Sequence, residues 1–204
     1  HLPSLFLLGT LSAQIKKYQT AMELLQKAIK IKPDFVEAHN NLGNVFQELG
    51  EYQEATTSYQ SAIKLNPQYA EAHYNLGTAL HNIGKHHDAI SCFQRAINFN
   101  PNNPKFYYNL ALAEIELGEY FSAIANYKKA ISIAADYTAA KYNLARLNLS
   151  TENFSEGWRD YEIRHLQDIA HQRIQNALKL NQWNGKTFDG TLFVHGEQGI
   201  GDLI

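Results

Sequence analysis

Between Glu37 and Gly77 the chain reads EAHNNLGNVFQELGEYQEATTSYQSAIKLNPQYAEAHYNLG, and the seven residues that close this stretch differ from the seven that open it only at Asn40 against Tyr74. The offset is 34 residues, and it extends in both directions: Leu8, Leu42, Leu76, Leu110 and Leu144 share it without an insertion. A fixed period of this length is the signature of a stacked-repeat solenoid. The residue after each of these leucines is small (Gly9, Gly43, Gly77, Ala111, Ala145), and a second small residue follows in register at Ala21, Ala55, Ala89, Ala123 and Gly157. A bulky set comes next (Leu25, Tyr59, Phe93, Tyr127, Tyr161), then Ala28, Ala62, Ala96 and Ala130, and then Pro33, Pro67 and Pro101.

Small residues where two antiparallel helices cross let the backbones approach, and the leucines and aromatics fill the space between them. Gly50, Gly84 and Gly118 stand where a first helix would need a left-handed terminator, and the prolines break the chain after the second helix. The pattern predicts first helices near 3–15, 37–49, 71–83, 105–117 and 139–150. Second helices are expected near 20–31, 54–65, 88–99, 122–134 and 155–167. In the last unit Gly157 replaces alanine and Arg164 takes the final small place, while the unit before it ends at Ala135 instead of proline.

With these residues in place, the chain resembles the tetratricopeptide-repeat (TPR) family, apart from the family's tryptophan. The expected fold is all-α, a superhelix of about five helix-turn-helix units at 2–35, 36–69, 70–103, 104–137 and 138–167, then a connector at 168–182 and a short α/β segment at 183–204. The start at His1, with no capping segment ahead of the first helix, reads as a trimmed chain with further repeats upstream.

The resemblance implies a concave groove lined by first helices, with the residue before each repeat's leucine facing into it. Those residues are Leu7, Asn41, Asn75, Asn109 and Asn143. Four asparagines at equal spacing form a ladder whose amides offer donors and acceptors to the backbone of an extended guest. Beside it stand Asn40, Tyr74, Tyr108 and Tyr142, one residue earlier, and Asn44, Thr78, Leu112 and Arg146, three residues later. The alternative is that the amides bond between repeats as packing. The ladder is similar to that of the protein O-linked N-acetylglucosamine transferases, where groove asparagines hold the acceptor polypeptide. The lysine clamp of chaperone-tail-binding TPR proteins is missing, since its places hold Asn40, Tyr74 and Tyr108.

Composition changes near Trp183. Thr191 to Val194 reads as a buried strand, and His195-Gly196-Glu197-Gln198-Gly199-Ile200-Gly201-Asp202 as the glycine-rich loop opening a doubly wound domain. Asp202 stands where a P-loop needs lysine, and Ile204 where the dinucleotide fingerprint needs glycine, so both readings fail. The segment resembles the junction in bacterial proteins whose TPR repeats precede a glycosyltransferase of the two-Rossmann-domain type related to heptosyltransferases. That resemblance gives Asp202 the role of general base toward an acceptor hydroxyl, with a nucleotide sugar as donor; capping of the following helix is the competing role. The donor pocket of that class lies mainly in a second domain, so this chain alone is expected to lack activity and to hold no cofactor.

Composition narrows the partners. Lys and Arg number 18 against 20 Asp and Glu, a net charge of −2 without like-charge blocks, which gives nucleic acid no electrostatic footing. No apolar run approaches the roughly 20 residues of a membrane helix. The lone Cys92 excludes an intrachain disulfide and fits the cytoplasm. His39 and His73 fill the TPR tryptophan's place and are expected to pack at a seam. His81, His86 and His87 lack the ligand spacing of a metal site. The expected function is a peptide-binding arm that recruits a polypeptide for a downstream glycosyltransferase. A non-enzymatic assembly scaffold and self-association through exposed repeat ends are the competing readings.

Overall fold

A computed structural model describes residues 1–161, and among these residues every regular element is helical. Ten helices alternate as five hairpins: α1 Leu2–Gln14 and α2 Tyr18–Ile31, α3 Val36–Glu48 and α4 Tyr52–Leu65, α5 Ala70–Asn82 and α6 His86–Phe99, α7 Pro104–Glu116 and α8 Tyr120–Ile133, α9 Thr138–Ser150 and α10 Phe154–Tyr161. Each helix packs on its hairpin partner and on the next helix in sequence, and adjacent first helices also touch (α1 on α3, α3 on α5, α5 on α7). The expected connector, the expected α/β segment and Asp202 lie outside the described residues.

The second helices bury one stripe at helical spacing: Ala21, Leu25 and Ala28; Ala55, Tyr59 and Ala62; Ala89, Phe93 and Ala96; Ala123, Tyr127 and Ala130. The small residue before each crossing makes room for the bulky one behind it. A methyl added at Gly43 would lie 2.5 Å from Cε1 of the fully buried Tyr59, and one at Gly77 2.7 Å from Cε1 of Phe93. Phe46 and Ile97 each pack against two neighbouring apolar clusters, so the core runs on from hairpin to hairpin. Leu42, Leu76, Leu110 and Leu144 are buried, whereas Leu8 is 52% exposed.

The turn inside every hairpin closes the same way. The N–H of Lys17, Glu51, Lys85, Glu119 and Asn153 donates to the carbonyl five residues back, at 2.8 to 2.9 Å. This is a Schellman closure, which needs a left-handed residue just ahead of the donor. Gly50, Gly84 and Gly118 supply it at φ 78°, 79° and 75°, as expected. Lys16 and Glu152 adopt the same conformation at φ 60° and 62° without the glycine that would have announced it.

One expectation is corrected. The second helices begin two residues early, at Tyr18, Tyr52, His86 and Tyr120, because the closing residue, for example Lys17 or Glu51, starts the helix through its own carbonyl, which accepts from Ala21 or Ala55. No side-chain cap marks these starts. The break after α8 keeps the geometry of the proline turns, with Ala134 at φ −130° and ψ 96° against −136° and 94° at Asn66. Packing imposes there what Pro33, Pro67 and Pro101 impose elsewhere by sterics.

Candidate functional site

Asn41, Asn75, Asn109 and Asn143 sit one residue before a buried leucine. That places them about 100° round the helix from the core, half-buried at the edge where first helices meet. Each reaches back to the preceding hairpin. Asn75 Nδ2 donates to Asn40 Oδ1 and Asn44 Oδ1, both at 3.0 Å. Asn109 Nδ2 donates to the Tyr74 hydroxyl at 2.7 Å and to the Lys105 carbonyl at 3.2 Å. Asn143 Nδ2 donates to the Tyr108 hydroxyl at 3.0 Å and, more weakly, to that of Tyr127 at 3.5 Å. Asn41 Nδ2 donates to Thr10 Oγ1 at 3.0 Å.

Two contacts fix which end of the amide points inward. The Lys105 carbonyl can only accept, and Thr10 Oγ1 already gives its proton to the Phe6 carbonyl at 2.9 Å. In Asn109 and Asn41 the nitrogen is therefore the end that makes these bonds. No donor among the described residues reaches the Oδ1 atoms of these four asparagines. The ladder is thus divided: its donors hold repeats together, and its acceptors face outward. The sequence reading had offered guest binding and packing between repeats as alternatives; the geometry shows the packing bonds, made through the nitrogens, and leaves the oxygens without a donor among the described residues.

The neighbouring residues are equally committed. Asn44 Oδ1 accepts from the Tyr59 hydroxyl at 2.9 Å as well as from Asn75. Tyr74 stacks on Phe106 at 5.0 Å between ring centroids, and Tyr108 packs on Tyr137 at 5.2 Å and Tyr127 at 5.7 Å. Burial pushes the Tyr74 hydroxyl above its ordinary pKa against the lowering by its polar neighbours Thr78 and Asn109, so it stays a neutral partner for the ladder. Tyr142 stacks on Tyr161 at 5.7 Å, and the Arg146 guanidinium lies over the Tyr142 ring at 5.7 Å. Arg146 is exposed and has no carboxylate partner among the described residues.

At the repeat-four to repeat-five joint an open cleft of about 270 Å³ is lined by residues of α7 and α9 and by Tyr127 of α8. Leu112, Ile115, Leu147 and Ser150 line it together with Asn143 and Arg146. Sequence reasoning had Leu112, Asn143 and Arg146, but missed Ile115, Leu147 and Ser150. The signal was there: these residues continue the same helix face at spacings of three and four.

The histidines split. His39 and His73 bond the carbonyls of Pro33 and Pro67, each at 2.9 Å, and Tyr107 does the same to Pro101 at 3.1 Å. The tryptophan place of the repeat thus holds a ring that ties the helix start to the preceding turn. His81 and His86 lie with Nδ1 atoms 3.2 Å apart, and burial, then the nearby His86, lowers the His81 pKa. Among the described residues no three His, Cys, Asp or Glu gather as a metal site, and no helix is long and apolar enough to cross a membrane.

Family models of the TPR repeat match residues 11–50 and 43–84, and models of the tetratricopeptide repeat match 70–103 and 92–125, together more than half of the chain. The chain belongs to the tetratricopeptide-repeat family. A crystal structure of MamA is 26% identical, with 84% of this chain and 97% of that one covered and a TM-score of 0.71. PilF of Pseudomonas aeruginosa aligns at TM-score 0.76 with 19% identity over 87% of this chain and 84% of its own. YrrB, described as a TPR protein with an unusual peptide-binding site, aligns at 0.67 with 19% identity, covering 86% and 91%. These last two share the fold. No curated protein sequence matches. The TPR matches concern the repeats and lend no support to the glycosyltransferase relation read from residues 183–204.

Proposed function

We propose that this TPR array is a scaffold that binds an extended polypeptide along the face formed by α3, α5, α7 and α9. Backbone N–H groups of the guest would donate to the Oδ1 atoms of Asn41, Asn75, Asn109 and Asn143. The observation that supports this reading is the division of the ladder: four acceptors in register, each on an amide already fixed by bonds to the preceding hairpin. A pre-positioned acceptor loses little freedom on binding, so each bond contributes nearly its full net value of about 1 kcal/mol. The peptide-binding role given for YrrB, at the same fold, agrees with it.

The finer reading, recruitment of an acceptor for a downstream glycosyltransferase with Asp202 as base and a nucleotide sugar as donor, rests on sequence resemblance alone, that of the asparagine ladder and of residues 183–202. It remains a proposal on that footing, and so does a cytoplasmic setting.

The test modifies the guest and leaves the protein intact. A peptide selected for binding is N-methylated one residue at a time, which removes single backbone donors. Alternate N-methylations are expected to weaken binding about fivefold each, the equivalent of one net hydrogen bond. A series in which every N-methylated peptide binds as well as its parent refutes the ladder.

A further inference from the structure

The ladder repeats, but its surroundings do not, and the difference falls at the joint between repeats four and five. Three residues after the ladder asparagine stand Asn44, Thr78, Leu112 and Arg146 in successive repeats. Six residues after it stand Gln47, His81, Ile115 and Leu149. The earlier rungs are therefore flanked by polar groups, whereas the last joint offers an aliphatic wall with one cation at its rim.

The cleft at that joint is built from Leu112 and Ile115 on α7, Tyr127 on α8, and Asn143, Arg146 and Leu147 on α9. Its volume of about 270 Å³ falls just under the roughly 300–1,000 Å³ of small-molecule pockets, so it has room for a side chain but not for a cofactor. Arg146 is positioned by the ring of Tyr142 and is not neutralised by any acid among the described residues. A guanidinium in that position presents a fork of donors, which suits a carboxylate. Asn143 lines the same cleft, and its amide nitrogen is engaged with the Tyr108 hydroxyl at 3.0 Å.

Resting on the peptide-binding reading, we infer that this cleft is a specificity subsite for an aliphatic or aromatic side chain flanked by a carboxylate. The backbone N–H of that guest residue meets Asn143 Oδ1, its side chain fills the space between Ile115 and Leu147, and the carboxylate meets Arg146. The carboxylate can come from an adjacent Asp or Glu side chain or from the guest's C-terminus, since both present the same two oxygens. The remaining rungs read backbone only, so selectivity along the groove is concentrated at this end.

The experiment measures fluorescence-anisotropy affinities for one neutral peptide containing a single leucine followed by Asp, Asn or Lys, and for the same peptide ending at leucine with a free or an amidated terminus. The carboxylate-bearing peptides are expected to bind about threefold to tenfold more tightly than their neutral counterparts at low salt, with the gap narrowing as salt is raised. Replacing the leucine by glycine is expected to cost about tenfold in every context. In Arg146→Gln, whose side chain is exposed and whose fold is checked by circular dichroism, the Asp-to-Asn ratio is expected to collapse toward one. If Asp, Asn and Lys peptides bind alike, or if Arg146→Gln keeps the ranking, the subsite is refuted while the groove reading stands. If no peptide binds at millimolar concentration, both readings are refuted.

Discussion

Replacing Asn75 by alanine separates the structural half of the ladder from its binding half. The substitution removes two hydrogen bonds of 3.0 Å, to Asn40 Oδ1 and Asn44 Oδ1. Their fates differ. Asn44 Oδ1 keeps the Tyr59 hydroxyl at 2.9 Å, but the oxygen of Asn40, only 3% exposed, has no other donor among the described residues. Each lost bond costs about 1 kcal/mol net, and a buried acceptor left unpaired adds roughly 1–3 kcal/mol. The better helix propensity of alanine returns about 0.5 kcal/mol. The expected loss is about 2.5–4.5 kcal/mol, read by urea unfolding with circular dichroism, with m checked so that a change of cooperativity is not mistaken for stability. The second arm is the double substitution Asn40→Ala/Asn75→Ala, which removes the orphaned acceptor and is expected to be no less stable than Asn75→Ala alone. A loss under about 0.5 kcal/mol for Asn75→Ala, or a double variant that is simply additive, would show that the bonds between hairpins contribute nothing.

Gly43→Ala forces the Tyr59 ring away from a methyl 2.5 Å from its Cε1. Overpacking of roughly 1–3 kcal/mol outweighs the helix gain of about 0.5–1 kcal/mol, so thermal unfolding is expected at lower temperature, and an unchanged midpoint would contradict the crossing geometry. Glu114 is buried with both carboxylate oxygens taking Asn126 Nδ2 at 2.9 and 2.8 Å, and burial still raises its pKa over the lowering by Asn126. A carboxyl whose pKa is higher folded than unfolded favours the folded state most when protonated, and that contribution is lost as pH rises from the unfolded toward the folded value. Glu114→Gln is therefore expected to stabilise the fold at neutral pH, with the advantage shrinking on acidification toward 4.5; an equal effect at both pH values refutes it. Burial lifts the Cys92 thiol to about 11, so alkylation at pH 8 is expected to run about a hundredfold slower in the folded protein than in urea, as followed by mass spectrometry.

The fold was legible because its determinants recur locally. Leu42, Gly43, Ala55 and Ala62 each come back 34 residues later, with Phe93 answering Tyr59, and a stripe of small and bulky residues at helical spacing has few other homes. Helix starts were less legible, since Tyr18 and Tyr52 follow residues that cap with a carbonyl every amino acid possesses. The ladder was found by position, but its division was not, because the partners are tertiary. Even so, the sequence carried a trace: Thr10 and Asn44 stand 31 residues, and Asn40, Tyr74 and Tyr108 35 residues, before the asparagines they receive from. Every one of them can accept a proton. The cleft beside Arg146 escaped because a hollow is a property of two helices and their angle, which no single stretch of chain encodes.

The left-handed turn inside each hairpin has a consequence for the order in which the array loosens. Glycine adopts φ near 78° without penalty, whereas Lys16 and Glu152 at φ 60° and 62° carry a steric cost of roughly 1 kcal/mol each. Hairpins one and five are therefore hinged on strained joints, and hairpins two, three and four on relaxed ones. On this ground hairpins one and five are expected to open under heat or denaturant before the block of three between them, with the rungs at Asn41, Asn75 and Asn109 still in line. The aliphatic cleft spans that boundary, so occupying it would latch the fifth hairpin to the block and raise the temperature at which it peels away.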